Sequence, residues 1–332
     1  MSMKKKDICI LGAGNMGTAL AKLIAENGHN VCIWNHSGDV EPLEQIEKYR
    51  ENKKYLPHIL LPINITACGD IKKSLLSADF IFFAVASEFV LGVAQQCVSF
   101  VKKGASIIDV SKGFDHATSE SIPNLLKKLF PKHPVLGLSG PIVANQIAHK
   151  NPTIFLISAN NTHAYKKIEK IFSNDFVKTT YSPDILGVEV LQSVKNIYAL
   201  GMGIIQGLEW SLNIQSVYIT SALIEMQKIQ KVLGGKQETV FGIAGLGDFI
   251  TTAFSPEGRN RTFGFMIGKG MEKEKALRKM DQVVESISAL KVFSSMKEIK
   301  KLRLPLFTVI SHVIQEKISV QEAGKKIFRS LG

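Results

Sequence analysis

Short apolar runs alternate with stretches of helical period through the first half of the chain. Residues 7–11, 30–34, 80–85, 106–110, 135–138, 153–157 and 176–180 read as strands. Helical patterns such as 17–27 and 119–130 fall between most of them. Strands separated by helices imply βαβ units, hence a parallel, doubly wound α/β sheet of Rossmann type. From about Gly187 the period changes. Residues 187–205, 213–233, 240–253, 264–268, 273–279, 286–302, 305–315 and 320–328 all read as helices, and no strand competes. The boundary falls near Tyr181–Gly187, where Ser182-Pro183-Asp184 punctuates the chain. The expected organisation is a doubly wound sheet domain over 1–186 and an all-α domain over 187–332.

The first strand runs into GAGNMG, and a helix follows. That context makes the glycines a dinucleotide fingerprint. Gly12 permits the tight turn, Gly14 lets backbone approach a pyrophosphate, and Gly17 lets helix pack on strand. The helix N-terminus then faces the phosphates. The second strand ends Trp34-Asn35-His36-Ser37. An NAD site commonly has Asp or Glu there for the ribose hydroxyls. Here Asp39 and Glu41 come later, and no Arg stands ready for a 2′-phosphate. The reading is NADP or NAD, leaning toward NADP, with His36 either at the nucleotide or an ordinary surface residue.

Lys112, in VSKGF, follows the strand 106–110 at the carboxyl edge of the sheet, where ligands of such folds bind. Ser139-Gly140-Pro141 ends the next strand. Lys195 lies in an apolar helix among Leu191, Val194, Ile197, Tyr198 and Leu200. A lysine there either snorkels to the surface or is buried for chemistry, since burial pulls an ammonium toward neutral pKa. Asp248, on the GLGD turn, could tune it. Arg259 and Asn260 follow the turn Ser255-Pro256-Glu257-Gly258. A guanidinium and an amide at such a turn either bind a phosphate or form an exposed basic loop.

Composition changes the picture little. The chain has 332 residues, 45% hydrophobic and 21% charged, with a formal net charge of +12. The basic residues are spread out without aromatic interleaving, so nucleic acid is not the expected partner; anionic small molecules suit better. Cys9, Cys32, Cys68 and Cys97 lack metal-site spacing, so no metal is expected. Cys9 and Cys32, within strand-like runs, read as buried thiols. No secretory signal is visible and no apolar stretch is long enough to span a bilayer. The expectation is a cytoplasmic protein without stable membrane insertion.

Taken together, GAGNMG, VSKGF, SGP, GVE…VKN, AGLGD, GRNRTFG and QVVE resemble, in order and spacing, the bacterial NAD(P)-dependent glycerol-3-phosphate dehydrogenases. The resemblance runs from Gly12 to about Gln315. It implies a Rossmann-type domain followed by a helical domain of the 6-phosphogluconate dehydrogenase type. It implies that Lys195 is the acid/base, with Lys112 and Asp248 as partners. Gly258, Arg259 and Asn260 would hold the substrate phosphate, and Gly140 would touch substrate. Asn15, Met16, Asn35, Ala144, Arg259, Val283 and Glu285 would contact the cofactor. The implied reaction interconverts dihydroxyacetone phosphate and sn-glycerol 3-phosphate for phospholipid synthesis, and the resemblance leaves room for a homodimer. The chain departs from the family pattern at Ala86-Ser87-Glu88, Ile142, Asn145-Gln146, Gln192-Ser193, Ser221-Ala222 and Ser286. These departures keep two rivals in view: a related reductase of another small keto or hydroxy acid, and a cofactor-binding protein with weakened activity.

Overall fold

The structure is a computed structural model that describes residues 5–115, 118–256, 258–280 and 283–331. Among these residues, β1 (Asp7–Leu11), β2 (Asn30–Trp34), β3 (Ile65–Cys68), β4 (Phe80–Phe83), β5 (Ser106–Asp109), β6 (Val135–Ser139), β7 (Thr153–Ser158) and β8 (Val177–Ser182) form one sheet. Their order is β3-β2-β1-β4-β5-β6-β7-β8. Side chains alternate between the two faces. Ile8, Ile10, Val31, Ile33 and Phe82 face a core built with the helices Asn15–Glu26 and Thr162–Phe172. Cys9, Leu11, Ile81, Phe83 and Ile107 face a second core under Ser87–Cys97 and Ile122–Leu129. Burial on both faces is why these strands are nearly continuous apolar runs.

The sheet departs from expectation in three respects. β3 is an edge strand whose only strand neighbour is β2. Of its four residues only Ile65 is buried, so it carries no apolar run. β6 and β7 pair antiparallel, whereas the other pairs are parallel. The helix joining them, Ala144–Ala148, has five residues. It rises only about 7.5 Å, too little to carry the chain back along β6, so β7 starts where β6 ends. Finally, Cys32 is half-buried rather than buried.

Contacts divide the chain into two compact units. One holds the residues up to Asp115 and Glu120–Ile185; the other holds Leu186–Gly332 and takes in Ser119. The second unit is helical. The stretch 240–253 is not one helix, because Gly242, Gly245 and Gly247 break it. It forms a 3₁₀ turn Gln237–Phe241, a π turn Ile243–Gly247 and the α-helix Asp248–Phe254. The stretch 286–302 likewise divides at Met296, whose backbone is extended. Among the described residues no helix is long and apolar enough to cross a membrane.

The helices Ile185–Gly207 and Arg259–Gly268 meet backbone to backbone. A Cβ on Gly203 would fall 2.1 Å from the Arg261 carbonyl oxygen, and one on Gly264 would fall 2.1 Å from that of Leu200. Gly207 and Gly268 extend the same seam. A Gly203→Ala substitution should therefore cost at least the usual 1–3 kcal/mol of overpacking. Gly92, in the helix Ser87–Cys97, has no described atom within 4 Å of such a Cβ. Gly92→Ala should stabilise by up to about 1 kcal/mol. Urea denaturation of the two variants checks both signs.

Candidate active site

In the first unit the glycine loop follows β1. Gly12 has φ +116°, and a Cβ there would lie 2.7 Å from the Ala84 carbonyl oxygen. At Gly17 a Cβ would lie 2.0 Å from the Gly12 carbonyl oxygen, so only glycine lets the helix Asn15–Glu26 sit on its own loop. Gly14 differs: no described atom lies within 4 Å of a Cβ placed there. That helix starts with no capping side chain and no acid in its first turn. Its exposed N–H groups and the positive end of its dipole suit an anion. Beside them Asn15 Oδ1 is buried without a hydrogen-bond partner among the described residues. Open space, an uncapped helix start and an unsatisfied acceptor fit a dinucleotide.

The side chains of Asn52, Asn35 and Thr18 hold the loop. Asn52, fully buried, donates to the Ala13 carbonyl at 2.7 Å and to Thr18 Oγ1 at 2.8 Å. Asn35 Oδ1 accepts from the Ala13 N–H at 3.4 Å, and its Nδ2 donates to the Asp39 carbonyl at 2.7 Å. His36 is exposed, and its Nδ1 accepts from the Gly38 N–H, a contact within the turn. Asp39 accepts from Lys54 at 2.7 Å and Tyr55 at 2.9 Å. Burial acts to raise its carboxyl, but hydrogen bonds from Lys54 and Tyr55 outweigh that and hold it below the usual range. Asp39 is thus already neutralised by Lys54.

Lys112 is half-buried in the loop after β5. Asp109 shapes this loop by accepting from the Ser111 N–H at 2.9 Å and the Ser111 hydroxyl at 2.5 Å. Its other carboxyl oxygen is buried with no described hydrogen-bond partner. Gly113 follows with φ +124°. At the end of β6, Gly140 has φ +113°, Ile142 packs on the apolar core, and Ala144 opens its short helix, buried.

The second unit brings two groups of predicted residues together. Lys195 lies mid-way along Ile185–Gly207, fully buried, and its ammonium contacts Asp248 Oδ2. Asp248 is the first residue of its helix, delivered by the glycine turn before it. Within that turn Gly245 must be glycine, since a Cβ would lie 2.0 Å from the Val240 carbonyl oxygen. Gln192 Nε2 donates to the same Asp248 oxygen at 2.8 Å. In the other group, Gly258 caps the helix that begins at Arg259. Arg259 pairs with Glu285, and buried Asn260 accepts from the Ser286 N–H at 2.9 Å. Val283 is half-exposed; Glu257 and Gln282, which belong to the motifs, lie outside the described residues.

Sequence reasoning missed Asn52, Lys54, Tyr55 and the bond of Gln192. Asn52 and Tyr55 sit in the polar stretch YRENKKY, which carries no periodic signal. Gln192 was visible as a polar residue in an apolar helix, three positions from Lys195, and as a departure from the family pattern, but its bond to Asp248 was not.

A glycine loop opening an uncapped helix on a doubly wound sheet, with a buried ammonium–carboxylate pair in a separate helical unit, defines the class: a nicotinamide-nucleotide-dependent oxidoreductase. Comparison narrows it. The profile of the NAD-dependent glycerol-3-phosphate dehydrogenase N-terminus matches residues 7–165, and that of the C-terminus matches residues 184–325. The glycerol-3-phosphate dehydrogenase (NAD(P)+) of Clostridium tetani is 33% identical over 313 residues, covering 94% of this chain and 89% of that protein. The protein of the same name from Enterococcus faecalis is 32% identical, covering 97% of this chain and 95% of its own length. The 2.1 Å crystal structure of glycerol-3-phosphate dehydrogenase from Coxiella burnetii matches with a TM-score of 0.92 at 29% identity, over 98% of this chain and 99% of that one. The chain belongs to the NAD-dependent glycerol-3-phosphate dehydrogenase family.

The Asp109 carboxyl gives a test of how dry the Lys112 loop is. Burial pushes it up to about 7, against two opposing hydrogen bonds from Ser111. The native state then holds a proton that the unfolded chain has lost above about pH 4. Stability should fall as pH rises from about 4 to about 7, and level off above. Asp109→Asn keeps the Ser111 bonds but has no such slope. Relative to wild type it should gain about 2–4 kcal/mol between pH 4.5 and 8, measured by denaturation at both. A constant difference across that range would mean Asp109 is ionised in the folded protein.

Proposed function

We propose that the protein interconverts dihydroxyacetone phosphate and sn-glycerol 3-phosphate with NADP(H) or NAD(H), as an enzyme of phospholipid precursor supply acting in the cytosol. The division of labour we assign is nucleotide binding by 1–186 and substrate chemistry by 187–332. The observation that carries this reading is the buried Lys195–Asp248 pair. An ammonium kept out of water beside a carboxylate is the proton donor that a carbonyl reduction needs.

Gly12, Gly14, Asn15, Met16, Gly17, Asn35 and Ala144 would hold the nucleotide; Arg259, Val283 and Glu285 are assigned to the cofactor by the family resemblance alone. When bound, the nicotinamide supplies the hydride. The protein's own work is on the oxygen and the phosphate. Lys195 Nζ gives a proton to the C2 oxygen as negative charge gathers there. Asp248 aims the ammonium and keeps its charge compensated. Arg259 offers planar donors to the phosphate, and Asn260 and the helix start at Gly258 add to them. Glu285 orients the guanidinium. Lys112 is assigned to the substrate by the family resemblance alone.

Replacing Lys195 by Met keeps length and removes both charge and proton. Turnover of dihydroxyacetone phosphate should fall by about 10²- to 10⁴-fold, with NADPH affinity by calorimetry retained. Because Met would strand Asp248 as an uncompensated buried charge, costing about 3–5 kcal/mol, the double variant Lys195→Met/Asp248→Asn serves as the fold control. Residual activity above roughly a tenth in either variant would remove Lys195 from the acid role. Arg259→Ala should cost about 2–5 kcal/mol in kcat/KM with dihydroxyacetone phosphate. The loss should be smaller with unphosphorylated dihydroxyacetone; equal losses would take Arg259 out of phosphate binding.

A further inference from the structure

Gln192 stands three residues before Lys195 on the helix Ile185–Gly207, so both lie on one side of it. It is 1% exposed. A primary amide has one donating and one accepting end. The donating end is committed, since Nε2 bonds Asp248 Oδ2, the oxygen that also contacts the Lys195 ammonium. The accepting end is not: Oε1 is buried with no hydrogen-bond partner among the described residues. The amide cannot turn over to relieve this. Turning would set Oε1 against the Asp248 carboxylate, acceptor against acceptor. Asp248 therefore fixes which end is the oxygen, and a rigid, unsatisfied acceptor results beside the proton donor. Such groups are rare in folded proteins, because the lost hydration is not recovered until a donor arrives.

The reaction proposed above puts such a donor nearby. With the C2 oxygen of the ketone at Lys195 and the C3 phosphate at Arg259 and Asn260, the remaining arm of the substrate is C1. Its hydroxyl is the only hydrogen-bond donor adjoining the reacting carbonyl. We propose that Gln192 is a specificity-determining residue, whose Oε1 accepts a hydrogen bond from the C1 hydroxyl of dihydroxyacetone phosphate. The site thereby selects a hydroxymethyl ketone over a methyl ketone. This rests on the preceding assignment of the reaction. A binding site with a buried acceptor penalises an analogue that cannot satisfy it, whereas an apolar pocket hardly distinguishes the two.

The experiment compares kcat/KM for dihydroxyacetone phosphate and for its 1-deoxy analogue, acetol phosphate, in wild type, Gln192→Met and Gln192→Leu. Wild type should prefer the hydroxylated substrate on the order of 10- to 100-fold. Both variants remove the acceptor with little change of volume, and the preference should fall to within about 3-fold. A residue that only braced Asp248 would slow both substrates by the same factor, so variants that keep the wild-type ratio overturn the proposal. Wild type turning over both ketones equally also overturns it, without any variant, and leaves the assigned reaction standing. If wild type turns over acetol phosphate but not dihydroxyacetone phosphate, selection runs against the hydroxyl and the proposal fails. Absence of turnover of either ketone phosphate overturns the assigned reaction, and this proposal with it.

Discussion

Taking an ammonium and a carboxylate out of water costs several kcal/mol for each ion, and their attraction offsets this only when the geometry is good and the remaining polar atoms are met. Lys195 and Asp248 accept that condition in the middle of the helical unit, and much of the unit serves it. The long helix around Lys195 is buried along nearly its whole length, which keeps water away. The broken stretch before Asp248, with glycine required at Gly245, turns the carboxylate toward the ammonium at the first residue of a helix, where a negative charge is favoured. Thr252 donates to the Asp248 carbonyl at 2.7 Å and anchors that turn. The seam of glycines joining Ile185–Gly207 to Arg259–Gly268 sets the register between the helix that carries Lys195 and the helix that carries Arg259 and Asn260.

Other buried polar groups in the unit support packing. Glu225 accepts from the Leu306 and Phe307 N–H groups at 2.7 and 3.0 Å, and from Tyr198 at 2.9 Å. It thereby caps the helix Pro305–Ile314 from within the core. Burial nevertheless raises its carboxyl above the usual range, against the opposing bonds from Phe307, Leu306 and Tyr198. The Tyr198 side chain lies one turn beyond Lys195, so the same helix carries the buried ammonium and a structural tie.

The alternation of period in the chain revealed the doubly wound sheet, because strands buried on both faces announce themselves as apolar runs. β3 stayed hidden because an edge strand with one buried residue has no run to show. The reversal at β7 was hidden too. Strand direction depends on the length of the connection in space, and the five-residue helix Ala144–Ala148 leaves no periodic signal. In the site, Gly12, Lys195, Asp248 and Arg259 stood out because their residue types are unusual for their local pattern. Asn52 and Gln192 did not, since their roles arise from tertiary contacts at a separation of 34 residues or more. The break across 240–253 could be read in Gly242, Gly245 and Gly247, glycine being a poor helix former, whereas the break at Met296 carries no such residue.

The loop Gly12–Gly17 owes its shape to bonds from Asn52, Asn35 and Thr18, all internal to the protein. On the nucleotide-binding role proposed above, the cradle is therefore formed before the ligand arrives. Ordering that backbone is a cost met once, at folding, and not at each encounter with ligand. A flexible glycine loop would give up part of its contact energy to become ordered every time the cofactor exchanged. On the role proposed for the loop, the nucleotide would leave and re-enter a preformed mould, as repeated turnover with a dissociable hydride carrier requires.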